Sequence, residues 1–478
     1  MVESVRPAEP PPSEPPEAWA PALRLARLAI RPLDRFLRLQ AASGLLLIGA
    51  AAVALALANS PWAPAWARVW QLKLGVSAGR FAFERPLEWW VNDGLMAVFF
   101  FVVGLEIRRE IAHGELSDWR RAALPAAAAL GGMVAPALIF LIVGPGGAGR
   151  AGWGVPVATD IAFAVGVLTL LGKRVPAALR VLLLALAVID DLGAILVIAV
   201  FYSGGISLAG LAVAAAGLIS ILILQWLGVR RAFAYLPPAV VAWAGTYAAG
   251  VHPTVAGVVI GMMTPVRAWL GTGGFMASVE ESVGELQRLP PREAADPHRV
   301  ALVLQRIHRS RREALSPAEN LIESFHPWVA FVIMPVFALA NSGVTLQGLQ
   351  LSEEPLRALG GIALGLVLGK PLGVLLACGL VLALGLARLP AGIGARHLAV
   401  LGQVAGIGFT MSLFIANLAY RDERLLAAAK IGVLGASALA GVLGLALGRS
   451  LLAAAPGAAV SADEAEAQVA REEGGGRS

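Results

Sequence analysis

Between residues 39 and 447 the chain is a succession of apolar runs, most of them near twenty residues long, joined by short polar stretches. A helix rises about 1.5 Å per residue and the hydrocarbon core of a bilayer is about 30 Å thick, so runs of this length are the length of membrane spans. The composition agrees. Hydrophobic residues make up 58% of the chain and charged residues 15%, whereas soluble domains carry about 25% charged residues. Mean hydropathy is +0.73. Apolar and polar residues do not alternate along the runs, which excludes a membrane β-barrel. The single cysteine, Cys378, sits in an apolar run and excludes a disulfide framework. The net charge of +6 comes from arginines gathered between runs, which reads as topology and not as a nucleic-acid surface.

The runs predict an all-α polytopic protein with about twelve spans, near 39–58, 88–108, 121–143, 155–172, 179–202, 207–227, 234–249, 252–265, 320–341, 357–386, 395–419 and 424–447. Residues 1–38 form a proline-rich tail followed by an amphipathic, arginine-bearing segment suited to the membrane surface. Residues 39–452 are the membrane domain, and 453–478 are an acidic, glycine-rich tail. If both termini lie on one side, the tails and even-numbered loops hold 28 basic residues and the odd-numbered loops 8. Positive charge marks the cytoplasmic face, so both termini are expected in the cytoplasm. The long polar segment 266–319 is expected there too. In the first extracytoplasmic loop, "WQLKLGV" and "RFAFE" alternate around a Ser-Ala-Gly turn, which predicts a short β-hairpin over 69–85. A lone hairpin is barely stable, so pairing with a second subunit is expected.

Four charged residues fall deep inside spans: Asp160, Asp190, Asp191 and Lys370. Each costs roughly 2.5–3.5 kcal/mol at a span centre. The sum, on the order of 10 kcal/mol, rivals the net stability of a whole domain. Such residues persist where a cavity, a partner or a ligand compensates them. A structural ion pair needs one aspartate, and here there are three. Adjacent residues on a helix point about 100° apart, so Asp190 and Asp191 do not share one partner equally. One of them meets Lys370, and the other is free to hold a ligand. Thr159 and Asp160 place a hydroxyl beside a carboxylate, a donor set for a hard cation.

Two spans are interrupted. "GWGVPVATDIAFAVGVLTLLG" has Gly152, Gly154 and Pro156 ahead of Thr159, and "AVLGQVAGIGFTMSLFIANL" has Gly402, Gly406 and Gly408 ahead of Thr410. Paired interruptions in the two halves of a membrane protein point to a transport site. "LLALAVIDDLGA" (183–194) also matches "LLAAAKIGVLGA" (425–436) at eight of twelve positions. The third span starts inside and the tenth outside, so the expected relation between the halves is an inverted repeat.

The motifs "ANSPW" (58–62), "WVNDGLMAVFFFVVGLEIRRE" (90–110), "ATDIAFAVGVL" (158–168), "IDDLGAI" (189–195), "GVHPTVAGVVIG" (250–261), "HPWVAFVIMPVFALANSGV" (326–344), "GKPLGV" (369–374) and "GIGFTMSLFIANL" (406–418) resemble those of bacterial NhaA-type sodium/proton antiporters, over about residues 40–447. The resemblance implies two broken helices, spans 4 and 11, crossing at the midplane. It implies that Asp191 is the main Na⁺ ligand, helped by Asp160 and Thr159, and that Asp190 gates access and pairs with Lys370. It further implies electrogenic, pH-regulated export of Na⁺ or Li⁺ against inward H⁺ across a bacterial inner membrane, by a homodimer joined through the hairpin. The family's pH-responsive patch maps onto Glu106, Arg109 and Glu110 in span 2 and onto Glu323 and His326, with Glu319, in span 9. His252 matches the motif at the start of span 8. No cofactor and no enzymatic activity are implied.

Two readings of other classes compete. An intramembrane aspartyl protease also buries two aspartates, but on separate helices that face each other. A cation channel would conduct Na⁺ without a coupled proton flux.

Overall fold

The computed structural model describes residues 40–78, 81–288, 297–346 and 352–452. The expected amphipathic segment and both tails lie outside the described residues. The first span, α1 (Gln40–Ala58), turns through 119° into a short helix, α2 (Ala63–Trp70). Asn59 fixes the turn. Its amide donates to Leu55 O at 2.8 Å and Val344 O at 2.7 Å, and its Oδ1 accepts from Leu346 N at 2.7 Å.

The expected hairpin follows. Strands β1 (Lys73–Ala78) and β2 (Phe81–Pro86) pair antiparallel, with Lys73 opposite Pro86 and Ala78 opposite Phe81. Its base is anchored within the same chain. Phe83 meets the rings of Trp89, Trp90 and Tyr247 edge-on, Arg85 donates to the Tyr247 hydroxyl at 2.8 Å, and Trp90 Nε1 donates to Leu74 O at 2.9 Å. Instability of an isolated hairpin therefore gives no argument of its own for a partner subunit.

The remaining helices run in chain order. They are α3 (Leu87–His113), α4 (Trp119–Val143), a 3₁₀ segment (Gly147–Val157) bent by 47° into α5 (Ile161–Leu170), and α6 (Ala177–Phe201). Next come α7 (Leu208–Trp226), α8 (Leu236–Ala248), α9 (Thr254–Met263), α10 (Gly271–Arg288), α11 (Pro297–Ala314) and α12 (Pro317–Asn341). The chain ends with α13 (Glu353–Ala383), α14 (Ala395–Ala405) bent by 45° into α15 (Phe409–Ala419), and α16 (Glu423–Leu451). Among the described residues, 7 helices are long and apolar enough to cross a membrane, or up to 10 spans if each bent pair counts as one. Helices α8 and α9, with 13 and 10 residues, occupy the positions of the expected seventh and eighth spans. They are shorter than the roughly 20 residues of a full crossing. Wide π-type turns interrupt α3 at Trp90–Leu95, α12 at Val329–Ile333 and α13 at Gly365–Gly369.

The helices pack as two groups joined by α1. Helices α4, α5 and α6 gather with α13, α14, α15 and α16, while α3 packs on α9 and α12, and α7 on α8; α1 bridges the groups by packing on α5 and on α12, and α3 also touches α6. The first group contains both members of the expected repeat, and α4 and α13 cross backbone to backbone. A Cβ on Gly131 would lie 2.1 Å from Gly373 O, and one on Gly373 would lie 2.0 Å from Gly131 O. Small residues permit this approach where no hydrophobic effect drives helices together.

Within 266–319 the described residues form two helices where the polarity suggested a loop. Helices α10 and α11 lie side by side, joined by Ser278 Oγ and Ser310 Oγ at 2.6 Å and by an ion pair of Arg306 with Glu285 at 2.7 Å. Arg230 ties α11 to the connection between α7 and α8 through Glu313 at 2.9 Å.

Candidate ion-binding site

The two bent pairs meet at their breaks. Asp160 N donates to Ile407 O at 2.7 Å, and Thr159 Oγ1 donates to Ala405 O at 2.9 Å. Unwound backbone thus pairs with unwound backbone, which meets the requirement that polar groups inside a membrane be satisfied within the protein. Glycine permits the crossing. A Cβ on Gly406 would lie 2.4 Å from Leu366 O, and one on Gly408 would lie 2.1 Å from Ser412 Oγ and 3.0 Å from Ala158 O.

Asp160 belongs to both breaks. Its Oδ1 accepts from Phe163 N at 3.0 Å, capping α5, and its Oδ2 accepts from Thr410 N at 3.2 Å and from the Thr410 hydroxyl at the start of α15. A carboxylate is stabilised by the orphan N–H groups and positive ends of helix N-termini, and here it meets two of them. Thr410 is a member of this site to which the sequence assigned no role. Its signal was the shared Thr position after the glycines of each interrupted span.

Helix α6 supplies Asp190 and Asp191, both 1% exposed. Lys370, directly after the π-type turn of α13, donates to Asp190 Oδ2 at 2.8 Å and also to Val157 O, at the end of the 3₁₀ segment. The ammonium therefore joins α6, α13 and the first break. Asp191 stands apart. Its Oδ1 is buried and has no hydrogen-bond partner among the described residues. Its charged neighbours are Asp190, Glu106, Asp160 and Lys370. Asp190 Oδ1 is likewise buried without a partner, but Asp190 is held by the lysine through Oδ2 and Asp160 by helix ends, while Asp191 has neither an ion pair nor a side-chain hydrogen bond among the described residues. Among the described residues no three His, Cys, Asp or Glu side chains cluster as a resident metal centre would require. A transported alkali cation is substrate here, with hydroxyl and carbonyl oxygens counted among its ligands.

The residues expected to sense pH divide into two places. Glu106, Arg109 and Glu110 share one face of α3, with Arg109 3.7 Å from Glu110, and Arg109 also acts on His326 of α12. Glu323 is exposed on α12. Glu319 closes a capping box with Ser316, to which it is bonded at 2.9 Å, and so has a structural task. His252 is elsewhere. Its Nδ1 meets Thr254 Oγ1 at 2.8 Å and its Nε2 lies 3.5 Å from Asp93. Asp93 is thirteen residues, or roughly 20 Å of helix, from Glu106.

Residues 34–447 match the sequence profile described as "Na+/H+ antiporter 1". The chain is 60% identical over 431 residues to "Na(+)/H(+) antiporter NhaA 2" of Myxococcus xanthus, covering 89% of this chain and 90% of the relative. It is 53% identical to the protein of the same name in Sorangium cellulosum, covering 89% and 91%. It is 47% identical to "Na(+)/H(+) antiporter NhaA" of Janthinobacterium, covering 87% and 92%. The solved structure of the sodium proton antiporter MjNhaP1 from Methanocaldococcus jannaschii superposes with a TM-score of 0.45 at 13% identity, over 91% of this chain and 98% of the other. With a profile match across most of its length and relatives this similar, the chain, a multi-pass membrane protein, belongs to the Na⁺/H⁺ antiporter 1 family.

Proposed function

We propose that the protein exchanges Na⁺ or Li⁺ for H⁺ across the bacterial inner membrane, exporting the cation while protons enter. The observation that carries this reading is the buried carboxylate of Asp191 beside the crossing of two broken helices, which, unlike Asp190 and Asp160, has no ion pair or side-chain hydrogen bond among the described residues. Asp191 carries the cation or a proton but not both, and that exclusion couples the two fluxes. Asp160 and Thr159 complete the cation's oxygen shell, and Asp190 answers for Lys370. The family supports the further assignments: electrogenic, pH-regulated exchange serving sodium and pH homeostasis, with both termini cytoplasmic, and a homodimer through the 69–85 hairpin, whose outer strand edges pair with nothing among the described residues. The Glu106–Arg109–Glu110 patch with Glu323 and His326 is assigned to pH regulation, and His252 to a separate contribution from the other end of α3. The substrates are the two ions, with no cofactor and no catalysis of covalent chemistry.

The two competing readings fit less well. A protease needs two facing carboxylates that share a proton. Here Asp190 is committed to Lys370, and Asp160 to amides and Thr410. A channel leaves the coupling of carboxylate and lysine unused. Reconstituted protein with an imposed proton gradient distinguishes them. Added Na⁺ or Li⁺ is expected to dissipate the gradient saturably, and Asp191→Asn to abolish the response. Sodium flux indifferent to the proton gradient would establish a channel instead.

A further inference from the structure

We propose that Asn417, Asn341 and Asn92, stacked above an aromatic plug, form a gate between the binding site and one face of the membrane. This deepens the antiport reading and rests on it. Asn417 Nδ2 donates to Asn341 Oδ1 at 2.6 Å, and Asn341 Nδ2 donates to Asn92 Oδ1 at 2.8 Å and to Phe337 O at 2.9 Å. The three amides come from α15, α12 and the π-type turn of α3, and Asn341 is fully buried. They lie at the end of α15, the end of α12 and the start of α3, which is one side of the membrane under the alternating course of the spans.

Phe414 precedes Asn417 by one helical turn, and Phe337 precedes Asn341 by one turn. Residues three and four apart share a helix face, so each helix presents a ring nearer the break and an amide farther out. Phe414 packs against Phe337 at 6.1 Å, Phe100 at 5.5 Å and His252 at 5.2 Å between ring centres. Phe414, Phe337 and Phe100 are each at most 1% exposed.

The position of this clasp gives it meaning. Asn417 and Phe414 belong to the group built from α4–α6 and α13–α16, and all their partners belong to the other group. The remaining side-chain hydrogen bonds of the binding site stay within the first group. A carrier that exposes its site first to one side and then to the other must part the two groups on the second side. At the clasp that parting breaks the Asn417–Asn341 bond and withdraws the Phe414 ring, while α1, packed on α5 and on α12, continues to bridge the groups. Interhelical amide hydrogen bonds inside membranes are individually weak, a strength suited to a contact made and broken in every cycle.

The test uses the full chain in a Cys378→Ala background, since Cys378 is buried away from the ion. Asn341→Cys and Asn417→Cys are combined, and the pair is treated in proteoliposomes with a short bis-methanethiosulfonate that reductant removes. The expected result is cross-linking of the pair, loss of Na⁺-dependent proton exchange by at least tenfold, recovery on reduction, and no effect of the reagent on either single-cysteine protein. Na⁺ binding by calorimetry in detergent is expected to survive cross-linking. Failure to cross-link, or cross-linking without loss of exchange, would overturn the gate. Loss of binding together with exchange would place the damage at the ion site and overturn it too. Absence of exchange in the Cys378→Ala reference would instead count against the antiport reading itself.

Discussion

Lys370 has two acceptors and Asp190 one donor, and this asymmetry sets what each substitution costs. Removing the ammonium strands a buried carboxylate, and breaking a buried pair commonly costs about 3–5 kcal/mol. Lys370→Ala is therefore expected to lower the melting temperature in detergent. Adding Asp190→Asn restores part of the loss, because the orphaned charge is gone. Asp190→Asn alone leaves Lys370 bonded to Val157 O. Asp191 behaves differently. No protein group engages its Oδ1, so Asp191→Asn removes a repulsive charge beside Asp190 and is not expected to lower the melting temperature, although transport is lost. A double-mutant cycle should show strong coupling for 190/370 and much weaker coupling for 191/370. Additive effects for 190/370, or the reverse order of couplings, would exchange the roles of the two aspartates. The pair was legible in sequence because three aspartates and one lysine stood in apolar runs. Which aspartate meets the lysine came only from the family motif, which implied Asp190, since helical periodicity gives the angle between neighbours and not the helix they face.

At the scale of elements, the breaks matter more than the helices around them. Two spans unwind, and Asp160 receives N–H groups from the helix beyond each break, so the carboxylate fixes one half-helix relative to the other. Thr410→Val keeps the shape and deletes one hydroxyl bond to Asp160. A hydrogen bond to a charged group is worth about 1.5–3 kcal/mol. The Na⁺ concentration for half-maximal activity in vesicles is expected to rise severalfold while the protein still folds, and Asp160→Ala to raise it further. An unchanged dose-response curve for both would remove Asp160 from the site. The sequence announced these breaks through glycine and proline inside apolar runs, and the hairpin through period-two alternation. It did not announce the α10–α11 pair, because a helix with no wide apolar stripe, held by a serine–serine contact and an arginine–glutamate pair, reads as a polar loop. The π-type turns were equally hidden. They leave the local hydrophobic pattern intact and become visible only as a slip in hydrogen bonding. Asn92, Asn341 and Asn417 lay unremarked in quoted motifs because a neutral amide near a span end looks like ordinary interfacial polarity until its partners are known.

For the whole molecule, direction depends on orientation, since a gate of asparagines and aromatics serves export only if it faces outward. The charge count predicts that the connection between α6 and α7 lies outside and the α10–α11 pair inside. Gly205 lies exposed in the first, and a Cβ there would meet nothing within 4 Å. Thr272 is exposed at the start of α10. In the Cys378→Ala background, Gly205→Cys in intact cells should react with a membrane-impermeant maleimide, and Thr272→Cys should react only after the membrane is opened. Asn417 ends α15 on the same side as Gly205, because α6 and α15 run in the same direction under the alternating course of the spans. Labelling of Gly205→Cys from outside would thus place the clasp between Asp191 and the exterior, closed in this structure, with Na⁺ drawn from the cytoplasm and released when Phe414 withdraws. The reverse labelling pattern would invert the molecule, put the clasp on the cytoplasmic path, and turn the same geometry into a gate on ion entry.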